Sequence, residues 1–420
     1  MTATLAKLRT LAGKVRVWGV AGIAAYVRRI LSQRRHRHRL LAMHRRAGAV
    51  SPVRGVTVIG DLTEQAAICK TLRDFVLALR EAGIPCQTYD TTPRPRIPRE
   101  DAAAILTPPE DFSLHRYSHF VAMFRCPLTP EITAGHTYAK IVFHDSQHGI
   151  HETSPDLRES GDAIIAMSDF NYEYFARSFS SQKVFKITYP FRFRAAADAT
   201  PRDELRRRFS IAPDAFVVFF NFDFGSYYRK NPIASMRAFA LAFKGDTTAH
   251  LVFKTKGASA NPRQAAEMEA AAHSLGIAAQ FTHISEYLPR TELDGLTGSA
   301  DAYISLHKSE GFGLGMAEAM SQAIPVVATD WSANTEFCRP DTAWCVPYRM
   351  TPILPHEYPP AMKEWAEADV AAAAAALREI RADPAAARRR AERGRDFMAE
   401  HYSIARFKSD ADAFLDGGAA

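Results

Sequence analysis

Acidic residues are missing from the first 60 positions of the chain, which hold thirteen of its 53 lysines and arginines and no aspartate or glutamate. The other 40 basic residues are set against 46 acidic ones, so the net charge of +7 belongs to an N-terminal arm. The body, mildly acidic, has no electrostatic reason to seek nucleic acid. Cysteine is scarce. Cys69, Cys86, Cys126, Cys338 and Cys345 are scattered, odd in number and include no CxxC pair. That excludes a disulfide framework and fits reduced thiols in a cytoplasmic protein. Long apolar runs are also missing from the arm: Val17 to Val27 covers eleven residues, about half of the ~20 needed to span a bilayer. No short-period repeat is present.

The arm is nevertheless patterned. Leu5, Leu8, Ala12 and Val15 recur at helical spacing, with Lys7 and Lys14 opposite them, and a strongly cationic stretch follows Val27. A secretory signal fits poorly, because charge follows the apolar stretch as well as preceding it. Nucleic-acid binding has weak support, because the arginines are not interleaved with aromatics. Trp18, a short apolar face and flanking cations best suit an amphipathic helix on anionic lipid, so residues 1–46 are expected to meet a membrane surface. A solvated charged helix or an oligomer contact is the plainer alternative.

Beyond the arm, short apolar runs alternate with amphipathic stretches. "GVTVIGDL", a helical pattern ending near Gly83, and "IPCQTYD" form a strand–helix–strand unit, and "SHFVAMF", "AKIVFHDS" and "DAIIAMS" continue the series. The alternation resumes with "DAFVVFFNFDF", "TAHLVFKTKG", "QFTHISEYLP", "DAYISLH" and "IPVVAT". This is an α/β chain of two parallel-sheet domains. The expected division is an arm at 1–50, a first domain at 51–195, a second at 196–390 and a helical segment at 391–420. That last segment is expected to pack back on the first domain. The stretch from Glu364 to Ser403 reads as helix almost throughout, broken at Pro384. "HDSQHGIHE" carries His144, His148 and His151, but no cysteine or second carboxylate cluster lies nearby in sequence, and no metal site is expected. His144 differs in following an apolar strand directly, where side chains of open α/β sheets face ligands.

The densest pattern is "HKSEGFGLGMAEAMSQAIPVVAT", His307 to Thr329. A strand delivers Glu310 to the rim of the sheet. Gly311, Gly313 and Gly315 allow close backbone approach. A helix beginning near Leu314 points its N-terminus at the same place, which favours an anion such as a diphosphate. Glu310 and Glu318 can then reach different hydroxyls of one ligand. Arg229, Lys230, Lys254 and Lys256 supply cations from neighbouring strand ends. Each glutamate alone also reads as a solvated surface residue.

This stretch resembles the Glu-x7-Glu signature of retaining glycosyltransferase family 4, the glycosyl transferases group 1. "SYYRKNP" is similar to the family's basic loop ahead of the first donor-domain helix. "FHDS" resembles its cleft-histidine segment, and "WSANTEF" the loop after the signature's last strand. The resemblance implies a GT-B fold, two facing Rossmann-like domains with parallel sheets and a cleft between them. It implies a hexosyltransferase that moves a hexose from a nucleotide diphosphate sugar to a glycan or lipid-linked acceptor, retaining configuration, with no metal and no cofactor. Glu310, Lys230, Arg229 and His144 would act at the reacting sugar and diphosphate. Glu318 would hold the ribose, with Gly311, Phe312, Gly313, Leu314, Lys254, Lys256 and Asn334 completing the donor site. Ala323 departs from the family, which usually has glycine there, and the family's arginine several residues before the lysine has no counterpart but Arg229. The only Asp-x-Asp match, Asp410 to Asp412, reads as surface charge on a helix. Bacterial envelope polysaccharide synthesis at the cytoplasmic membrane face is the implied setting. A sugar phosphorylase, a nucleotide-sugar epimerase and a non-catalytic nucleotide-sugar-binding partner remain the alternatives.

Overall fold

The alternating runs resolve into two separate six-stranded sheets, every pairing in both of them parallel. This computed structural model describes residues 27, 30–47, 51–64, 67–93, 97–123, 126–143, 161–179, 183–191, 200–354, 357 and 363–417. His144, His148, His151 and nearly all of the arm before residue 30 lie outside the described residues.

The first sheet contains β1 (Val53–Gly60), β2 (Cys86–Asp90), β3 (Tyr117–Met123), β4 (Thr137–Ile141), β5 (Ala163–Ala166) and β6 (Lys183–Lys186), in the order β2-β1-β3-β4-β5-β6. The second contains β7 (Phe216–Asp223), β8 (Ala249–Lys256), β9 (Phe281–Ile284), β10 (Ala302–Ser305), β11 (Val326–Thr329) and β12 (Trp344–Val346), in the order β12-β11-β10-β7-β8-β9. Parallel strands covered on both faces must be apolar along their length, and β5, β10 and β11 are buried at every residue. The crossover helix Ala67–Glu81 buries Leu72, Phe75, Val76 and Leu79, one stripe at helical spacing. It stops where Gly83 takes φ +70° and Ile84 N donates back to Leu79 O at 2.8 Å.

The C-terminal part differs from expectation at its start. Glu364–Ala368 is not helical but a strand, β14, paired antiparallel with β13 (Tyr348–Pro352). Tertiary contacts override the alanine-rich helical pattern here. Trp365 is buried beneath the Lys308 ammonium, 4.6 Å from its ring, and Ala366 N donates to Lys308 O at 3.1 Å. The helices Val370–Ala382 and Pro384–His401 follow, and the break falls at Pro384, which opens the second helix.

The last helix, Ile404–Leu415, crosses to the first sheet. Phe407 meets Phe75 edge-on at 5.4 Å and Phe414 meets Phe185 at 5.1 Å. Asp410 and Asp412 are not free surface charge: Asp410 accepts from Thr188 N at 2.9 Å and Asp412 pairs with Arg54 at 2.7 Å. Both aspartates tie this helix to the first body.

Residues 30–46 form a helix that packs on the same body. Leu40 is fully buried among Ile59, Phe120 and Leu128, while His36 and His44 hydrogen-bond Tyr89 and His115 at 3.1 and 3.0 Å. This part of the arm therefore spends its apolar face on the protein. Arg34, Arg35, Arg37, Arg45 and Arg46 stay exposed on the other side. Among the described residues no helix is long and apolar enough to cross a membrane. Leu40→Ala should cost about 2–4 kcal/mol in urea unfolding and open this helix to limited proteolysis before the sheets yield.

Candidate functional site

In the second sheet β7 and β10 are neighbours although β8, β9 and the helices around them come between in the chain, and the strand order reverses there. Connections leave such a pair in opposite directions and open a crevice at the strands' carboxyl ends. The loops after β7 and β10 line it. The first loop turns tightly: Asp223 Oδ1 accepts from Gly225 N at 2.8 Å, and a single helical turn, Tyr227–Lys230, ends at Asn231 with φ +52°. Pro232 then opens the next helix. This geometry turns Arg229 and Lys230 toward the second loop. Lys308 N donates to Arg229 O and the Arg229 guanidinium to Ser309 O, both at 2.8 Å.

Glu310 sits where the loops meet. It is 5% exposed, with one carboxylate oxygen on Lys230 Nζ and the other 3.1 Å from the Arg229 guanidinium. Burial by itself would raise its pKa. Lys230 and then Arg229 outweigh burial and hold the carboxyl down at about 2. Its backbone is pinned as well, with Glu310 N donating to Ser332 Oγ at 2.8 Å.

The glycine run brings the chain from Glu310 to the helix Leu314–Ser321. Gly311 O accepts from Ser168 Oγ of the first body at 3.1 Å, and the Phe312 ring stacks on Tyr189 with centroids 4.5 Å apart. Gly313 has φ +102° and ends the loop. A Cβ on Gly315 would lie 2.2 Å from Tyr303 Oη and 2.6 Å from Asn221 Oδ1, which are themselves hydrogen-bonded. The helix can enter only over a residue without a side chain. Leu314 is half-buried at its first position. At the other end of this segment Ala323, where glycine was the expectation, adopts φ +54°. A side chain in that region costs on the order of 1 kcal/mol.

Glu318 lies on the inner face of the same helix, 9% exposed. Arg290 donates to its Oε1 at 2.7 Å, and Lys70 of the first body is 3.7 Å from that oxygen. Arg290 and Lys70 together keep its carboxyl below the ordinary range despite burial.

The other expected residues divide. Asn334 is fully buried and takes part in the internal wiring: its side chain meets His307 Nε2 at 2.9 Å and donates to Thr329 O at 2.9 Å. Lys254 and Lys256 end β8, one strand away from the reversal, opposite Asn221 and Asp223. Neither makes an ion pair with Glu310 or Glu318 among the described residues, and Lys254 donates to Thr255 O at 2.8 Å. Nothing in the sequence pattern singles out Lys70, Arg290 or Ser168. Their only local signals are the i,i+4 spacings Lys70–Asp74 and Arg290–Asp294, which are common on helices.

The bodies also meet at Glu336. Its carboxylate accepts from Asp169 N at 2.6 Å, so the second body caps the helix Asp169–Ser178 of the first. Burial first, and then the Asp169 carboxylate, push the Glu336 carboxyl up to about 7, against the pull of Lys186.

Residues 202–351 match the family model described as glycosyl transferases group 1. No curated protein sequence matches the chain. Among solved structures, a glycosyltransferase from Rickettsia africae superposes with a TM-score of 0.65 at 12% identity, covering 88% of this chain and 99% of its own. Anabaena HepE, in complex with UDP and glucose, gives 0.61 at 13% identity, with 86% and 100% covered. WaaG, described as a glycosyltransferase involved in lipopolysaccharide biosynthesis, gives 0.57 at 13% identity, with 86% and 100% covered. At such identities the likeness is one of fold, and that fold is GT-B.

The raised Glu336 carboxyl sets a pH dependence. The folded protein binds this proton more tightly than the unfolded chain, whose value is near 4.5. Its contribution is complete below about 4.5 and is lost as pH rises through about 7. Thermal melts should show Glu336→Gln more stable than the parent at pH 8 and indistinguishable from it near pH 4.5.

Proposed function

We propose that the protein is a retaining hexosyltransferase that uses a nucleotide diphosphate sugar as donor and a hydroxyl of a glycan or lipid-linked glycan as acceptor. The observation that carries this reading is the buried Glu310 carboxylate between Lys230 and Arg229, at the strand-order reversal and in front of a helix N-terminus.

The barrier in such a reaction is departure of the diphosphate from an oxocarbenium-like centre. Groups fixed before the reaction stabilise the charge that develops, without reorganisation. Lys230 and Arg229 take that part, with the first N–H groups of the helix Leu314–Ser321 behind them. They supply the positive charge in place of a metal. When the diphosphate takes up these cations, the Glu310 carboxylate turns to the donor sugar's hydroxyls as an acceptor. Gly311 and Gly313 let the backbone approach the sugar and phosphates. Glu318 holds the ribose. His144 acts on the sugar from the first body. The acceptor hydroxyl then attacks from the face the leaving group vacates, its proton passes to the departing diphosphate, and configuration is retained.

The setting follows from the arm and the neighbours. The exposed arginines of residues 30–46 form a cationic face suited to anionic lipid, which supports a peripheral position on the cytoplasmic side of the membrane and a lipid-linked acceptor. WaaG's part in lipopolysaccharide synthesis and HepE's binding of UDP and glucose support envelope polysaccharide synthesis and a nucleotide-sugar donor.

Purified protein, incubated with UDP-, GDP- and dTDP-sugars and a bacterial lipid extract, should release nucleotide from one donor. The release should depend on the extract and fall about 100-fold or more in Glu310→Ala and Lys230→Ala. Tight nucleotide-sugar binding without release would overturn this reading in favour of a non-catalytic binding partner. Product analysis by NMR should show the donor's anomeric configuration kept.

A further inference from the structure

The reading above assigns Glu318 to the ribose but does not say what aims it. Its two carboxylate oxygens are treated differently. Oε1 accepts from the Arg290 guanidinium at 2.7 Å and lies 3.7 Å from Lys70 Nζ. Oε2 receives no hydrogen bond from any described residue. It is not among the buried polar atoms that lack a partner, so it opens to solvent, where a ligand hydroxyl can donate to it.

Arg290 is itself held. Its Nε and one terminal nitrogen grip the two oxygens of Asp294 at 3.0 and 2.7 Å, a two-pronged pair within one helical turn. That pair fixes the guanidinium plane and leaves the third nitrogen to meet Glu318. The two residues open the helix Arg290–Gly298, which follows β9, while Glu318 belongs to the helix between β10 and β11. The contact therefore joins two elements that nothing in the local sequence brings together. Lysine in place of Arg290 has no planar fork and would not fix the direction in the same way. From the opposite body Lys70, paired with Asp74 at 2.6 Å, bounds the same oxygen, and Asp74 in turn accepts from Tyr189 Oη at 2.6 Å.

We propose that Arg290, braced by Asp294, is the positioning residue of the nucleoside site. It clamps Oε1 of Glu318 so that Oε2 faces the 2′- and 3′-hydroxyls of the donor nucleotide, and the site thereby selects a ribonucleotide over a 2′-deoxyribonucleotide. This rests on the assignment of Glu318 to the ribose in the proposed function. A vicinal diol offers two donors to a carboxylate and a 2′-deoxyribose only one, so the discrimination depends on where the carboxylate is aimed. A site built to bond a hydroxyl rejects the analogue without it, because its own polar group is left unpaired.

The test is isothermal titration of the full chain with UDP, GDP and their 2′-deoxy counterparts. The parent protein should prefer the ribonucleotide by about tenfold or more, the worth of one hydrogen bond to a charged group. In Arg290→Ala the ribonucleotide should weaken by about that factor while the deoxynucleotide changes little, so the ratio collapses toward one. Arg290→Lys should retain part of the preference. Asp294→Asn, which cuts the brace and keeps the cation, should reduce the ratio severalfold and decides the matter if Arg290→Ala does not fold. Equal weakening of both nucleotides in these variants would show a merely structural residue and overturn the inference. A folded parent that binds a ribonucleotide and its deoxy counterpart equally would overturn it too, with the transferase reading intact. A folded parent that binds no nucleotide would remove the functional reading itself.

Discussion

The placement of one buried charge governs the rest. The Glu310 carboxylate is out of water, and so, for the most part, are the two cations that face it. Removing the Glu310 carboxylate would leave two buried cations facing each other without their anion, typically several kcal/mol less favourable than the intact group. The loops that carry them are therefore interdependent. The turn after β7 keeps its shape because it must bring Arg229 and Lys230 to the carboxylate, and the glycine loop after β10 keeps its shape because it must bring the carboxylate to them. Backbone ties between Lys308, Ser309 and Arg229 make the two loops one rigid unit. Under the proposed function, the departing diphosphate meets cations already held in place by an acid of opposite sign.

Most of the donor-side geometry is legible in the residues themselves. The strand before His307, the run Gly311-Phe312-Gly313, the helix at Leu314 and the proline-led strand β11 stand where the apolar spacing and the glycines put them. Even the departure at Ala323 has a physical counterpart, since the position requires positive φ and the residue there is not glycine. What could not be read is sheet order. Lys254 and Lys230 look alike as cations following apolar strands, yet β8 lies one place from the reversal and only the β7 loop faces Glu310. Nor does Asn334 disclose its burial: an amide in a loop reads as a ligand contact, and here it holds His307. The β13–β14 hairpin was hidden because its second strand is written in helix-forming residues, and only the burial of Trp365 under Lys308 declares it.

The seam between the bodies combines polar and aromatic contacts. Ser168 reaches Gly311, Glu336 caps the helix beginning at Asp169, Lys70 approaches Glu318, and Tyr189 stacks on Phe312. Several of these contacts bear directly on the glycine loop and the signature helix. The first body therefore helps to shape the glycine loop and the helix that follows it. Glu336 adds proton dependence to the seam, because its half-buried carboxyl changes charge near neutrality.

The return of the last helix to the first sheet has a mechanical consequence. The chain passes from the first body to the second after β6, and passes back again before Ile404, where Phe407, Phe414, Asp410 and Asp412 anchor it. Two bodies joined by a single strand of chain can slide, twist and separate. Two bodies joined at two separate points cannot part freely, and the second crossing is held by the aromatic and carboxylate contacts of the last helix.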